Sequence, residues 1–146
     1  MSLDSIRKLR AQTVESLMME LSHLAQTLTH SEEQSRAMET RIQTDAEIYA
    51  QHAGQGLTIE EVLEWQAKLD AQRSALQRVR ATITHTTSLW QQTKDRLVEA
   101  RQEYKLLERV AEQRQAAVQT AIARREQRAA DEAASRQVFV QGRGDA

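Results

Sequence analysis

Residues 62–118 read VLEWQAKLDAQRSALQRVRATITHTTSLWQQTKDRLVEARQEYKLLERVAEQRQAAV, and this stretch decides the fold. Every seventh residue in it is apolar: Val62, Leu69, Leu76, Ile83, Trp90, Leu97, Tyr104, Ala111 and Val118. A second series trails most of these by three positions. It comprises Trp65, Val79, Ala100, Leu107 and Ala121, with Gln72, Thr86, Thr93 and Arg114 as its polar members. Apolar residues spaced alternately by three and four form a coiled-coil seam, a stripe that leaves water only by meeting another helix.

Towards the N-terminus the same spacing holds. Val14, Leu21, Leu28, Ile42 and Tyr49 form one series, and Leu17, Leu24 and Met38 the other. Ser31, Ser35 and Asp45 interrupt this stripe and predict a weaker middle, while Leu3, Ile6 and Leu9 drift out of frame. Between the two patterns lie Gly54 and Gly56, residues suited to a helix C-terminus followed by a tight reversal. Thr58-Ile59-Glu60-Glu61-Val62 then reads as a capping box, with Leu57 and Val62 placed as a hydrophobic staple.

The expected architecture is all-α. One coiled-coil hairpin is predicted, with a helix over about residues 3–52, a turn over about 53–57, a second helix over about 58–136 and a frayed tail over 137–146. A short turn between complementary seams makes the hairpin antiparallel. With Tyr49 opposite Thr58, the layers pair Ile42 with Trp65, Met38 with Leu69, Leu28 with Val79, Leu24 with Ile83 and Leu17 with Trp90. Ser35 then meets Gln72 as a polar layer, and Glu32 comes near Arg73. A register one heptad away needs only a different turn and stays open. In the first register Leu3 falls near Tyr104, so about 30 residues of the second helix, roughly 45 Å, extend without a partner.

That extension carries Leu106, Leu107, Val110, Val118 and Ile122, with Lys105, Arg109, Arg114, Arg124, Arg125 and Arg128 among interspersed glutamates. A lone helix with an apolar stripe gains little from staying single, which makes it the first candidate docking surface. The second is the hairpin tip, where Tyr49 and Trp65 fall. A two-helix seam never fully buries a tryptophan, so part of the ring is left for a partner.

Composition narrows the function further. The 146 residues include no proline, no cysteine and four glycines, and the formal net charge is -1. Disulfide scaffolds and thiolate metal sites are excluded, and no overall field draws in nucleic acid or an anionic membrane. No apolar run approaches the length that spans a bilayer, and the first residues lack a signal-peptide pattern, so a cytoplasmic protein is expected. His23, His30, His52 and His85 are spaced too widely to share a metal ion. The acidic pairs Glu32-Glu33, Glu60-Glu61 and Asp131-Glu132 read as solvated helix faces, since a two-helix seam offers no cleft in which to separate carboxylate pKa values. Arg124, Arg125 and Arg128 are too sparse for the basic region of a zipper, and Arg143-Gly144-Asp145 is a chance tripeptide in a tail. No catalytic residue, cofactor or metal is expected.

The extension also resembles a known family. Leu106-Leu107-Glu108-Arg109, then Arg114-Gln115, then Arg125-Glu126-Gln127-Arg128-Ala129-Ala130-Asp131-Glu132-Ala133-Ala134-Ser135-Arg136 is similar to the C-terminal pattern of the flagellar export protein FliJ family. In that pattern a Leu-Glu-x-x-x-x-Arg-like segment precedes Glu-Gln, then Asp-Glu and a final Arg. The resemblance covers the whole length by pattern, and residues 101–136 by residue type. It implies a monomeric, non-enzymatic stalk of the type III protein export apparatus, needed for flagellum biogenesis and motility and peripheral to the inner membrane at the flagellar base. The end carrying both termini would enter the hexameric export ATPase, through Leu3, Ile6, Arg101, Leu107, Arg109, Arg114 and Val118. The opposite part would meet the cytoplasmic domain of the membrane export gate, through Ile42, Tyr49, Trp65, Leu69 and Leu76. Export chaperones are further implied partners. An injectisome counterpart of the YscO type shares the architecture, and a generic coiled-coil scaffold that homodimerises is the alternative from another class.

Overall fold

A computed structural model of the chain describes residues 2–144, apart from the side chains of 143 and 144. Two helices account for nearly all of it, α1 (Leu3–Gln55) and α2 (Ile59–Gly144), arranged as an antiparallel hairpin. Ser2 caps α1: its Oγ accepts from the Ser5 amide at 3.2 Å, which satisfies one of the donors that a helix start leaves open. Thr58 does the same for α2, its Oγ1 accepting from the Glu61 amide at 3.2 Å, so the helix begins where the capping pattern predicts.

The turn is shorter than expected. Helix α1 continues through Gly54 to Gln55, and the reversal takes only Gly56, Leu57 and Thr58. Gly56 has φ 97°, a backbone state that a Cβ disfavours, and its amide donates to the Ala53 carbonyl at 3.3 Å. Gly54 is helical, so only one of the two glycines serves the turn.

This turn sets the register one heptad from the first expectation. Tyr49 faces Trp65, not Thr58, and Ile42 shares a cleft with Gln72, not with Trp65. Asp45 bonds Gln72, and Glu39 bonds Arg80. The physical reason lies in side-chain volume. The shifted register sets Ser31 level with Ile83 and Ser35 level with Val79, while Leu21 and Leu28 come level with Thr93 and Thr86. Each small polar residue meets a large one, so the layers keep an even thickness. Ser31, Ser35, Asp45, Thr86 and Thr93 are accordingly buried members of the seam, not interruptions of it.

The chain divides into two units, Gln12–Ala100 and a second made of Met1–Ala11 with Arg101–Ala146. The first holds the core, where Leu69, Leu76, Leu97 and Ala100 are buried. Among the described residues no side chain is fully enclosed, as follows when two helices pack without a third layer. In the second unit, Ile6 of α1 lines a cleft with Leu106, Leu107 and Val110 of α2, and Arg10 pairs with Glu103 at 3.0 Å. Tyr104 sits beside Arg7, Lys8 and Ala11, again about one heptad from the level expected with Leu3. Every residue from 112 to 142 is exposed.

Helix α2 does not fray at Arg136 but runs on to Gly144. Loss of the apolar period removes a reason to pack, not the backbone bonding. With no proline to stop it, each added residue gains a hydrogen bond without a new nucleation cost. The Asp145 of the Arg-Gly-Asp tripeptide lies outside the described residues.

Candidate functional site

Two surfaces present side chains that the hairpin leaves unburied. The first lies at the turn. Tyr49, in the last two turns of α1, brings its ring within 5.7 Å of Trp65, two turns into α2, at a tilt of 48°. His52, one turn further along α1, meets the same indole edge-on at 5.8 Å. Lys68, one turn beyond Trp65, lays its ammonium 5.0 Å from the indole centroid. His52, Leu57, Glu61, Glu64, Trp65 and Lys68 line a shallow cleft of about 400 Å³. Tyr49 and Trp65 are half-buried, so each ring packs in the seam on one side and stays reachable on the other.

A polar knot lies one layer below. Gln72 Nε2 donates to Asp45 Oδ2 at 2.6 Å, and Lys68 Nζ stands 3.7 Å from the same oxygen. The Gln72 hydrogen bond holds the Asp45 carboxyl below its ordinary range. The Lys68 and Arg41 charges add to this, against the opposing effect of desolvation. Gln72 Oε1 is buried with no hydrogen-bond partner among the described residues. A buried, charge-assisted pair of this kind fixes register, because a slip would strand the carboxylate among apolar side chains.

The second surface is the long helix beyond α1. Val118 and Ile122 are 58% and 50% exposed. Arg101, Arg109 and Arg114 are exposed, whereas Leu3, Ile6 and Leu107 are half-buried where the two helices meet. The expected ATPase-facing set therefore divides into half-buried residues that close the paired segment, exposed Arg101 and Arg109 on its flank, and exposed Arg114 and Val118 on the helix past it. The gate-facing set divides as well. Ile42 is half-buried beside Met38, Arg41, Gln72 and Ala75, but Leu69 and Leu76 are only 5% and 7% exposed and hold the seam itself.

His52 and Lys68 were missed as members of the tip cluster. Their signal was present in the sequence: in the shorter-turn register both fall within one helical turn of the Tyr49–Trp65 layer. His23, His30, His52 and His85 are all exposed, and among the described residues no group of carboxylates and histidines is placed to hold a metal ion. No described helix is long and apolar enough to cross a membrane.

Among family models, that of the flagellar FliJ protein matches residues 1–143. No curated protein and no solved structure matches the chain.

Proposed function

Because the chain belongs to the flagellar FliJ family, and is thereby a flagellar export-related protein, we propose that it acts as a non-enzymatic stalk that enters the export ATPase ring and couples it to the membrane export gate. The observation that carries this reading is the helix over residues 112–142. It is continuous, exposed on every side and furnished with Val118 and Ile122, apolar side chains that none of the described residues covers. A helix of that kind is stable in use when a partner takes up its face.

The ATPase-facing residues in this reading are Arg101, Arg109, Arg114 and Val118 together with Ile122. Leu3, Ile6 and Leu107 shape the base of the helix from which they project. Beside the turn, Tyr49, Trp65 and the rim at Ile42 form the gate-facing surface, joined by His52 and Lys68. Leu69 and Leu76 act there by holding the seam in register. Export chaperones are further partners, and the working location is the cytoplasmic side of the flagellar base.

Hydrolysis stays with the ring. The stalk changes its rate by binding one subunit conformation more tightly than another and so shifting the population of closed sites. The test is the ATPase rate of the export ATPase with and without this protein, and with Val118→Asp and Ile122→Asp together. Stimulation several-fold by the wild type, lost in the double variant, is expected. If neither addition nor substitution alters the rate, the stalk role is wrong. The family match is to a flagellar family, which favours the flagellar system over the injectisome. A stable dimer by light scattering would instead support the scaffold reading.

A further inference from the structure

The spacing of apolar residues changes where α1 ends. Leu107 and Ala111, then Val118 and Ile122, then Ala129 and Ala133, and lastly Val140 recur at intervals of eleven residues. Arg114, Arg125 and Arg136 occupy the same place in each repeat. Eleven residues make three helical turns to within about 20°, a smaller drift per residue than a heptad gives and of the opposite hand. The row therefore does not continue the left-handed winding of the seam. It runs close to the axis along one side of the helix, and the other side bears Gln113, Ala116, Thr120, Gln127, Ala134 and Val138, with Val138 the one large apolar residue among them.

The row is continuous with an interface already formed. It begins at Leu107 and Ala111, half-buried at the level where α1 still packs, and passes onto exposed Val118 and Ile122. Its charge is one-sided: three arginines stand in it against Glu132. Among the described residues no ion pair engages Arg114, Arg125 or Arg136. A second copy of the chain would bring arginine rows together with few carboxylates between them, so self-pairing by this face is disfavoured in either direction.

We propose that residues 107–140 are a periodic docking strip for an acidic protein groove. The groove would offer apolar sockets to the paired Leu, Val, Ile and Ala positions, and carboxylates to the arginines at a three-turn interval of about 16 Å. This rests on the proposed function, and it adds which face of the free helix makes contact and what chemistry receives it. One face meeting one wall also suits a ring whose subunits are engaged in turn.

The test uses the whole protein and the export ATPase, with binding measured by calorimetry beside the ATPase rate. One variant carries Arg114→Glu, Arg125→Glu and Arg136→Glu. Its control carries the same change of charge off the strip, at Lys105→Glu, Arg124→Glu and Arg128→Glu. All six side chains lie on helix surface, and circular dichroism checks that helicity is kept. The strip variant is expected to bind at least about tenfold more weakly and the control less than about threefold. Equal weakening by both overturns the strip and leaves the stalk role standing, as does weakening by the control alone. A wild-type chain that neither binds nor stimulates overturns the stalk role and the strip with it. A wild-type dimer dispersed by the strip variant overturns the strip in favour of self-association.

Discussion

Residues 62–100 and residues 112–142 belong to the same helix and meet different surroundings. In the first, Leu69, Leu76 and Leu97 are 5–7% exposed against α1; in the second, Val118 and Ile122 are 58% and 50% exposed. The backbone is equally helical in both. Helix continuity is thus set locally, by favourable residues and the absence of a breaker, whereas burial is set by whether another element arrives. The paired stretch keeps a seven-residue period because it winds around α1. The free stretch departs from that period because nothing in the chain requires it, and what it retains instead is available to a partner.

Substitutions separate the two stretches most sharply in stability. Leu97→Ala is expected to cost about 2–3 kcal/mol in urea unfolding, from lost burial and the cavity left in the seam. Ile122→Ala is expected to change stability by less than about 0.5 kcal/mol, since its side chain is half in water already. Equal costs at the two positions would break the comparison. Gly56→Ala comes next, at about 1–2 kcal/mol, because a Cβ is strained at φ 97°. Gly54→Ala has the opposite sign. That site is helical and open around the added Cβ, so a gain of about 0.5–1 kcal/mol is expected in the same assay.

The smallest effect concerns acid. Asp45 has a folded-state pKa below its ordinary 3.8, chiefly through the Gln72 hydrogen bond. A depressed carboxyl contributes stability that is present above the unfolded value and lost as pH falls through the folded one. Thermal melts between about pH 5 and about pH 2.5 should therefore show a shallower acid decline for Asp45→Asn than for the wild type. Parallel declines would remove Asp45 from the register of the paired stretch.

Much of the fold was legible in residue spacing. The two seams, the capping Thr58 and the free end of α2 follow from periods and local chemistry that need no tertiary information. The register did not, for a reason visible in Ser31, Ser35 and Asp45. Classed by polarity, they looked like gaps in the stripe and invited a polar partner at Gln72. Classed by volume, the serines are the small halves of layers completed by Ile83 and Val79, and Asp45 carries its own hydrogen bond into the seam. Turn length was ambiguous for a related reason, since Gly54 and Gly56 look alike in sequence and only one has positive φ. Of the candidate docking surfaces, the exposed apolar face of α2 was legible. The gathering of His52 and Lys68 around Trp65 depends on register and was not.

Amide hydrogen exchange on the isolated protein, repeated with the export ATPase present, addresses the free helix most directly. Alone, residues 112–142 should exchange orders of magnitude faster than residues 62–100, since their helix opens without breaking a seam. With the ATPase added, they should become protected while residues 62–100 stay unchanged. Equal protection of both stretches in the isolated protein, or no gain over residues 112–142 on adding the ATPase, would contradict a helix left open for that partner.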